Sequence, residues 1–408
     1  MKKNCLQHIA AMRERAITLQ CDLTAFRAMG PENGGDGESR KAAYLEERLR
    51  ACGITDILHV DSPDIRVSSG LRPNIISRVR GKSPRTLWVF GHMDVVPAGD
   101  ASLWNGDPWT VRVDGDKLIG RGVEDNQQAI VSALLTAEAL HATQTVPDIT
   151  LGMVFMADEE CGNAHGLAHV LRTRPDCFGA DDLYLVPDSG SPDGSRIEVA
   201  EKGVLWFRFS VLGAQTHAST PHKGNNACVA GAALTLELAR LVEEFPATNA
   251  LFSPACSTFT PTRREANVPN VNTVPGTDVQ YLDCRLLPEL TLDTVRAAVR
   301  RRCDAVEARY RVTVRDDVTH WLPPTPPTPV ESPVVQRLAQ AVRDIYHVEP
   351  RPVGIGGSTV ACLLRERGLP AAVWARILHN CHEPDETALI SSAIGDAQVF
   401  VSMLFDHE

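Results

Sequence analysis

The chain has 408 residues, of which 43% are hydrophobic and 23% are charged, and its formal net charge is −10. This length exceeds what one ordinary hydrophobic core organises, so we expect two domains, and the acidic balance disfavours a nucleic-acid partner. The N-terminus is charged and no run of about 18 apolar residues occurs, so we expect neither a signal peptide nor a membrane span. The eleven cysteines include no Cys-x-x-Cys pair, which favours free thiols in a cytoplasmic protein.

The first half of the chain alternates between helix and strand patterns. Apolar residues at helical spacing predict helices over residues 4–28, 39–52, 126–143 and 164–173. Runs of apolar and β-branched residues predict strands over residues 56–60, 73–79, 86–90, 149–157 and 182–187. This alternation predicts an α/β domain with a mostly parallel sheet flanked by helices.

The pattern changes near residues 201–203. Further on, the predicted strands are 204–211, 278–285 and 309–315, with one weaker strand, and the predicted helices are 225–243 and 291–303. Their order, β-α-β-β-α-β, is typical of a ferredoxin-like two-layer α+β sandwich.

A proline-rich segment at 323–329 indicates a stiff linker. Helix 333–346 and strand 371–376 then resume the first pattern. We therefore expect one domain formed by residues 1–200 and 318–408, with residues 201–317 inserted into it.

Ligand-type side chains occur where predicted strands end. Because the carboxyl ends of parallel strands share one edge of a sheet, these side chains should converge in one cleft. Imidazole and carboxylate groups are ligands that suit a divalent cation such as zinc. The sequence therefore predicts a two-metal hydrolase site. Its residues are His92, Asp94, Asp125, Glu159, Glu160, Asp188 and His382.

The residues alone leave individual assignments open. Asp125 can bridge two cations or cap the helix that follows it, and Glu124 is an alternative ligand. Either glutamate of the Asp-Glu-Glu triplet at 158–160 can bind metal while the other acts as general base. His379 and His382 are both possible ligands. Each feature taken singly is also compatible with a solvated loop.

Several segments together resemble those of the M20 metallopeptidases, the group of acetylornithine deacetylase, succinyl-diaminopimelate desuccinylase, carboxypeptidase G and aminoacylase-1. The resemblance covers nearly the whole chain. The segments are GHMDVVP (91–97), GRGVED (120–125), ADEECG (157–162), PDSG (187–190), HAS (217–219), NTVPG (272–276), DCR (283–285), GGST (356–359) and HEPDE (382–386).

The resemblance implies a role for each metal ligand. His92 and Asp188 would bind one ion, Glu160 and His382 would bind the other, and Asp125 would bridge the two. The His-x-Pro-x-Glu pattern selects His382 over the other histidine of its segment. The ions would most commonly be zinc, with cobalt or manganese as alternatives.

The resemblance also implies catalytic groups. Asp94 would orient the histidine ligand two residues before it. Glu159 would be the general base and later the acid. His217, from the inserted domain, would stabilise the oxyanion in the site of a partner subunit, which implies a homodimer formed through that domain; a surface histidine is the alternative. The family has a cis peptide after the bridging aspartate, which falls here at Asp125–Asn126.

Substrate binding is expected at Asn272, Gly357, Ser358 and Arg285. A guanidinium binds a carboxylate through two parallel hydrogen bonds, which favours N-acyl amino acids or short peptides. The alternative for Arg285 is a structural salt bridge with Asp283.

The chain departs from many relatives at two places. After the bridging aspartate it has Asn126-Gln127-Gln128 where Met-Lys-Gly or Asp-Lys-Gly is common, which predicts an altered rim of the site. Asp188 is more similar to the aminopeptidase and dipeptidase branches than to the desuccinylases.

We expect an N-acyl amino acid deacylase, with a dipeptidase or carboxypeptidase as the alternative. A metal-free binding protein would lack ligands or base, and all are present. A dinucleotide-dependent oxidoreductase would need a Gly-x-Gly-x-x-Gly turn, which does not occur in the sequence.

Overall fold

The computed structural model describes residues 1–406. The chain folds into two compact units. Unit 1 comprises Met1–Val199, Thr328–Pro352 and the described residues from Thr359 onward, and unit 2 comprises Ala200–Pro327 and Val353–Ser358. Among the described residues, no helix combines the length and the apolar character needed to cross a membrane.

The α-helices within residues 1–406 are, in chain order, α1 (Lys2–Ala10), α2 (Arg13–Thr24), α3 (Ser39–Ala51), α4 (Gln127–Ala142), α5 (Leu167–Thr173), α6 (Ala227–Ala239), α7 (Leu292–Tyr310), α8 (Pro333–Tyr346), α9 (Ala361–Arg365) and α10 (Ile390–Leu404).

The strands of the same residues are β1 (Ile57–His59), β2 (Ser62–Pro63), β3 (Leu71–Arg72), β4 (Ile75–Val79), β5 (Ser83–His92), β6 (Arg112–Asp114), β7 (Lys117–Ile119), β8 (Ile149–Met156), β9 (Leu183–Gly190), β10 (Arg196–Glu201), β11 (Gly203–Leu212), β12 (Thr216–His217), β13 (Thr258–Arg264), β14 (Thr273–Val274), β15 (Thr277–Leu286), β16 (Thr313–Leu322), β17 (Arg351–Ile355), β18 (Ala371–Ala375) and β19 (Thr387–Leu389).

The main sheet has eight strands in the order β1-β4-β8-β5-β9-β18-β10-β17. Parallel pairing joins the four central strands, β8, β5, β9 and β18. Antiparallel pairing joins β1 to β4, β4 to β8 and β10 to β18. The expected α/β class is confirmed, and its parallel part is the centre of the sheet. The ends of β5, β8 and β9 therefore lie at one edge.

Burial explains the apolar runs of unit 1. Every residue of β8 is buried, because helices pack on the sheet and strands covered on both faces need apolar side chains on both. Helix α4 is buried over almost its whole length. It packs against β5 and against α10, which explains why its apolar residues surround the helix instead of forming one stripe.

Unit 2 contains the predicted β-α-β-β-α-β order, formed by β11, α6, β13, β15, α7 and β16. Its antiparallel sheet runs β13-β15-β11-β16. Alternate residues of β11 supply the core, with Leu205, Phe207 and Phe209 all 0% exposed. Trp206 points to the opposite face and is 43% exposed. The period of two along the strand thus assigns one face of the sheet to the core with α6 and α7.

Two predicted helices differ from the helices of the structure, and one helix of the structure was not predicted. The helix expected over 4–28 is interrupted between α1 and α2, which pack on α10 and α4, so tertiary packing outweighs helix propensity there. Helix α7 continues to Tyr310 and ends where Arg311 adopts a left-handed φ of 56°, a C-terminal signal that no glycine marks. Helix α10, whose residues are almost all buried, was not predicted.

Candidate metal centre

Two groups of three ligand-type side chains share one carboxylate. The first group is His92, Asp125 and Asp188, and the second is Asp125, Glu160 and His382; within each group the potential ligand atoms lie within 4.8 Å of one another. Nε2 of His92 is 2.8 Å from Oδ1 of Asp125, whereas Nε2 of His382 is 3.1 Å from Oδ2. Each oxygen of Asp125 therefore faces a different group, which is the geometry of a bridging carboxylate.

The fold brings these side chains together from five segments. His92 is the last residue of β5 and Asp188 lies within β9. Glu160 follows β8, and Asp125 precedes α4. His382 lies in the loop between β18 and β19 and has a left-handed φ of 63°. The sheet edge thus supplies His92 and Asp188, and the loops beside it supply Asp125, Glu160 and His382.

The tautomer of His92 is set by its backbone partner. Nδ1 of His92 is 3.0 Å from the main-chain oxygen of Asp94. Since a carbonyl oxygen only accepts, Nδ1 donates to it, and Nε2 faces the carboxylates of the first group, where a bound cation would take its lone pair in place of a proton. The imidazole is therefore oriented for metal binding.

The carboxylate of Asp94, expected to orient His92, lies beside that ring and also holds the backbone of both glutamates. Its Oδ1 is 3.5 Å from Nδ1 of His92. Oδ1 accepts from the backbone N–H of Glu159 at 3.1 Å, and Oδ2 accepts from that of Glu160 at 3.0 Å. Asp94 orients the histidine through its main chain and holds the two glutamates through its side chain.

Asn126, directly after Asp125, links the other two members of the first group by hydrogen bonds. The peptide bond between Asp125 and Asn126 is cis, as the resemblance implied. Oδ1 of Asn126 accepts from the backbone N–H of His92 at 3.3 Å, and Nδ2 donates to Oδ1 of Asp188 at 2.6 Å. Asn126 is 2% exposed. This departure from the relatives, expected to alter the rim, lies beneath the ligands.

The two ligand groups contain more carboxylates than imidazoles, so their electrostatics favour a bound cation. Burial opposes the charged form of His92, yet hydrogen bonds to Asp125 and Asp188 raise its pKa well above the usual value. Hydrogen bonds to Asp125 and Glu160 raise the pKa of His382 to about 10. Burial raises the pKa of Glu160 to about 7. Imidazole nitrogens and carboxylate oxygens fit zinc, cobalt or manganese, and a divalent ion at each group would neutralise these carboxylates.

Glu159 lies beside the two groups and belongs to neither. Burial raises the pKa of Glu159 well above its usual value, and the negative charges of Asp188 and Glu160 act in the same direction. A carboxylate with a raised pKa next to the ligands is suited to take and return a proton.

The sequence left Glu124 and His379 open as alternative ligands, and the geometry distinguishes them from the ligand groups. Both oxygens of Glu124 accept backbone N–H groups, from Leu378 and Asn380, so Glu124 faces away from the ligand groups. His379 has its Nε2 2.9 Å from the main-chain oxygen of Gly190. Within residues 1–406, neither side chain is part of a ligand group.

A buried ion pair that was not predicted from the sequence supports residues 158–160, which we call the glutamate turn. Arg72 and Glu38 are both 0% exposed, and Nε of Arg72 donates to Oε2 of Glu38 at 2.8 Å. Oε1 of Glu38 also accepts from the backbone N–H of Asp158 at 3.4 Å. Close by, burial lowers the pKa of Lys41 to about 8, against the charges of Asp94 and Glu38. Sequence offers no signal for these residues, because they meet only through the fold.

His217 of unit 2 is exposed and has a defined tautomer. The backbone N–H of Ser219 donates to Nδ1 of His217 at 3.1 Å, and the hydroxyl oxygen of Ser219 is 2.7 Å away. Because Nδ1 accepts, Nε2 of the neutral ring carries the proton. His217 therefore presents an N–H donor to solvent, which is the kind of group that stabilising an oxyanion would require.

The predicted substrate-binding residues also lie in unit 2. The guanidinium of Arg285 donates to both oxygens of Asp283, at 2.9 and 3.0 Å, and to the main-chain oxygen of Gly356 at 3.0 Å. Asn272 is exposed, and Gly357 and Ser358 follow β17. The salt-bridge alternative for Arg285 is present in the structure, so carboxylate binding there stays a prediction.

Comparison with known proteins gives concordant results. Residues 88–406 match the sequence profile of "Peptidase family M20/M25/M40". The chain is 33% identical to an uncharacterised metallohydrolase of Methanococcus maripaludis, over 96% of this chain and 99% of that protein. It is 27% identical to a succinyl-diaminopimelate desuccinylase of Dinoroseobacter shibae, over 96% and 98%. The structure of human carnosine dipeptidase 1 superposes with a TM-score of 0.79 at 16% identity, covering 99% and 98%.

Proposed function

The chain belongs to peptidase family M20/M25/M40, and from that membership we propose that it is a two-metal deacylase of N-acyl amino acids. Membership makes it a metal-dependent hydrolase of amide bonds; the number of ions and the acyl substrate are the proposal. The observation that supports it is the shared carboxylate of Asp125, which faces both ligand groups.

We propose that His92, Asp125 and Asp188 hold one ion and that Asp125, Glu160 and His382 hold the other, most commonly zinc, with cobalt or manganese as alternatives. Two such ions, when bound, polarise an amide carbonyl and lower the pKa of water. The protein orients His92 for its ion, because Nδ1–H of the ring donates to the main-chain oxygen of Asp94.

Glu159 is proposed to move the proton. Its carboxylate takes a proton from water as the amide is attacked and gives it to the leaving amine. Its backbone N–H is held by Asp94, so the side chain starts from a fixed point beside the ligands. Positioning of this kind converts the proton transfer into an intramolecular step.

The substrate proposal is supported by sequence relatives named as desuccinylases, which align over nearly the whole chain. Arg285 adds to it, since Asp283 and Gly356 orient its guanidinium while N–H groups remain for a substrate carboxylate. The second candidate is a dipeptidase or carboxypeptidase. Asp188, which is similar to the residue of the aminopeptidase and dipeptidase branches, favours the dipeptidase.

The two candidates differ in what they cleave. Purified protein loaded separately with zinc, cobalt or manganese should hydrolyse N-acetyl- or N-succinyl-amino acids faster than dipeptides, as measured by amine release. Metal-stripped protein in the same assay is the control. Cleavage of dipeptides alone would replace the deacylase by the second candidate, and no hydrolysis with any ion would remove both.

We further propose that residues 201–317 act as a lid and dimerisation domain inserted into a catalytic domain formed by 1–200 and 318–408, in a cytoplasmic homodimer. Helix α6 supports the interface, because its outer face carries an apolar stripe of Val229, Ala232, Leu236 and Ala239. Leu236 is 69% exposed. The helix packs against the edge strand β13, and an open edge beside an apolar stripe suits a self-complementary contact.

His217→Ala should lower kcat by about 100- to 1,000-fold, the usual cost of losing one oxyanion donor. Its metal content should not change, because His217 belongs to neither ligand group. If His217 serves the partner's site, a dimer of one His217→Ala and one Glu159→Gln subunit contains one complete site. Random mixing of the two variants should therefore restore about a quarter of wild-type activity, given two-fold symmetry.

A variant that disrupts the proposed interface is the control for this complementation. Adding Leu236→Glu to both subunits should yield monomers in light scattering and remove the restored activity. An active mixture of monomers would contradict the cross-subunit role, as would dimers that show no restored activity.

A further inference from the structure

Two loops supply the second ligand group alongside Glu160. We call them the Asp125 turn (residues 120–126) and the His382 loop (residues 376–386). The loop connects β18 to β19 and the turn precedes α4, and Asp125 and His382 are 257 positions apart in sequence. Nothing in either segment taken alone fixes the distance between Asp125 and His382.

A glutamate of the turn binds the backbone of the loop. Oε2 of Glu124 accepts from the N–H of Leu378 at 2.6 Å, and Oε1 accepts from the N–H of Asn380 at 2.9 Å. Glu124 is 4% exposed. Both carboxylate oxygens are thus used by main-chain donors two and four residues before His382.

A glutamate of the loop binds the backbone of the turn in return. Oε1 of Glu386 accepts from the N–H groups of Glu124 and Asp125 at 2.9 and 3.0 Å, and Oε2 accepts from that of Gly122 at 2.8 Å. Glu386 is 0% exposed, and Arg121 balances its charge through a 2.7 Å contact. The contacts are reciprocal, since a carboxylate of each segment accepts hydrogen bonds from backbone N–H groups of the other.

The backbone of the His382 loop needs such support. His379, His382 and Asp385 all have positive φ, of 62°, 63° and 55°. Residues other than glycine are uncommon in this region and persist there only when surrounding contacts impose it. The bonds from Glu124 lie on both sides of His379 and end two residues before His382.

We propose that Glu124 and Glu386 are positioning residues that set the distance between Asp125 and His382, and with it the affinity of the metal site formed by Asp125, Glu160 and His382. Neither contributes a ligand. The inference rests on the proposed two-metal function, because it concerns the second of those ions. A carboxylate is required at both positions, since an amide would turn an N–H₂ group toward a backbone N–H.

Glu124→Gln tests this without removing a ligand. Zinc titrations of metal-free protein against a competing chelator should give one affinity within twofold of wild type and one weakened about 10- to 100-fold, the usual effect of losing a partner that orients ligands. With one equivalent of cobalt, the visible spectrum of Glu124→Gln should match that of His382→Ala, which retains only the first group intact.

Glu138→Gln is the matched control. Glu138 is a partly buried glutamate of unit 1 that pairs with Arg15, and its loss should leave both affinities unchanged. Equal affinities in Glu124→Gln and wild type, or an equal fall at both sites, would overturn the proposal.

A measurement on the wild-type chain covers the case in which Glu124→Gln does not fold. The amides of Leu378 and Asn380 should be protected from hydrogen exchange in the metal-free protein, because Glu124 already binds them. Exchange at unprotected rates would overturn the proposal. Failure of the wild-type chain to bind two ions would instead remove the proposed function, and amide protection would still report on the contact between Glu124 and the His382 loop.

Discussion

Asp125→Asn should cost the protein both metal ions at once. Oδ1 of Asp125 faces His92 and Oδ2 faces His382, and an amide retains only one oxygen and adds an N–H₂ donor. Losing a partner behind a ligand costs about 10- to 100-fold in affinity, so loss of the shared ligand should cost at least that at each site. Activity should fall to background, and metal analysis after dialysis should find neither ion.

Stability gives an independent readout of the same change. An ion that binds only the folded chain adds about 2.7 kcal/mol to the free energy of unfolding when its concentration is 100 times Kd. Added zinc should therefore raise the melting temperature of the wild type and leave that of Asp125→Asn unchanged. Asp22→Asn is a suitable control, because Asp22 accepts a hydrogen bond from Tyr44 and belongs to neither ligand group. One tightly held ion in Asp125→Asn would show that the carboxylate does not bridge.

Glu159→Gln should retain both ions and lose turnover by about 100- to 10,000-fold, the range of general acid–base catalysis. The side chain of Glu159 lies outside both ligand groups, so metal affinity should not depend on it. Its anchoring bond to Asp94 comes from the backbone, so the variant keeps the same main-chain position. The loss should appear in kcat, with KM little changed.

The neighbouring residue provides the comparison. Glu160→Gln removes a member of the second ligand group and should lower the affinity for one ion, while Glu159→Gln should not. Metal analysis and kcat measured on both variants separate ligand from base. Near-normal turnover in Glu159→Gln would refute its role as the base.

The main helices and strands were predictable because their signals are local. Strands β5, β8 and β9 contain apolar runs bounded by polar residues, and the ligand-type residues lie at their ends or just beyond them. The alternation of buried and exposed residues along β11 is a signal of the same local kind. The break between α1 and α2 and the end of α7 at Arg311 were not predictable, because neither position has a glycine or proline to mark it.

The tasks of the supporting residues were not predictable in the same way. Asn126 was interpreted as part of the rim, and it instead links His92 to Asp188 beneath the ligands. Glu386 stood out only as the last residue of a motif, and its carboxylate binds the Asp125 turn. A sequence records which polar side chains are present but not which backbone amides they reach.

The sequence by itself determined the ligand types and the family resemblance, since these depend on residue chemistry at strand ends and on motif spacing. Only the tertiary structure decided that Asp125 faces both groups, that Glu124 faces a loop, and that the Asp94 carboxylate holds the glutamate turn. The physical reason is that hydrogen bonds and ligand geometry act over about 3 Å. Segments distant along the chain approach to that range only after the buried sheet has fixed their positions.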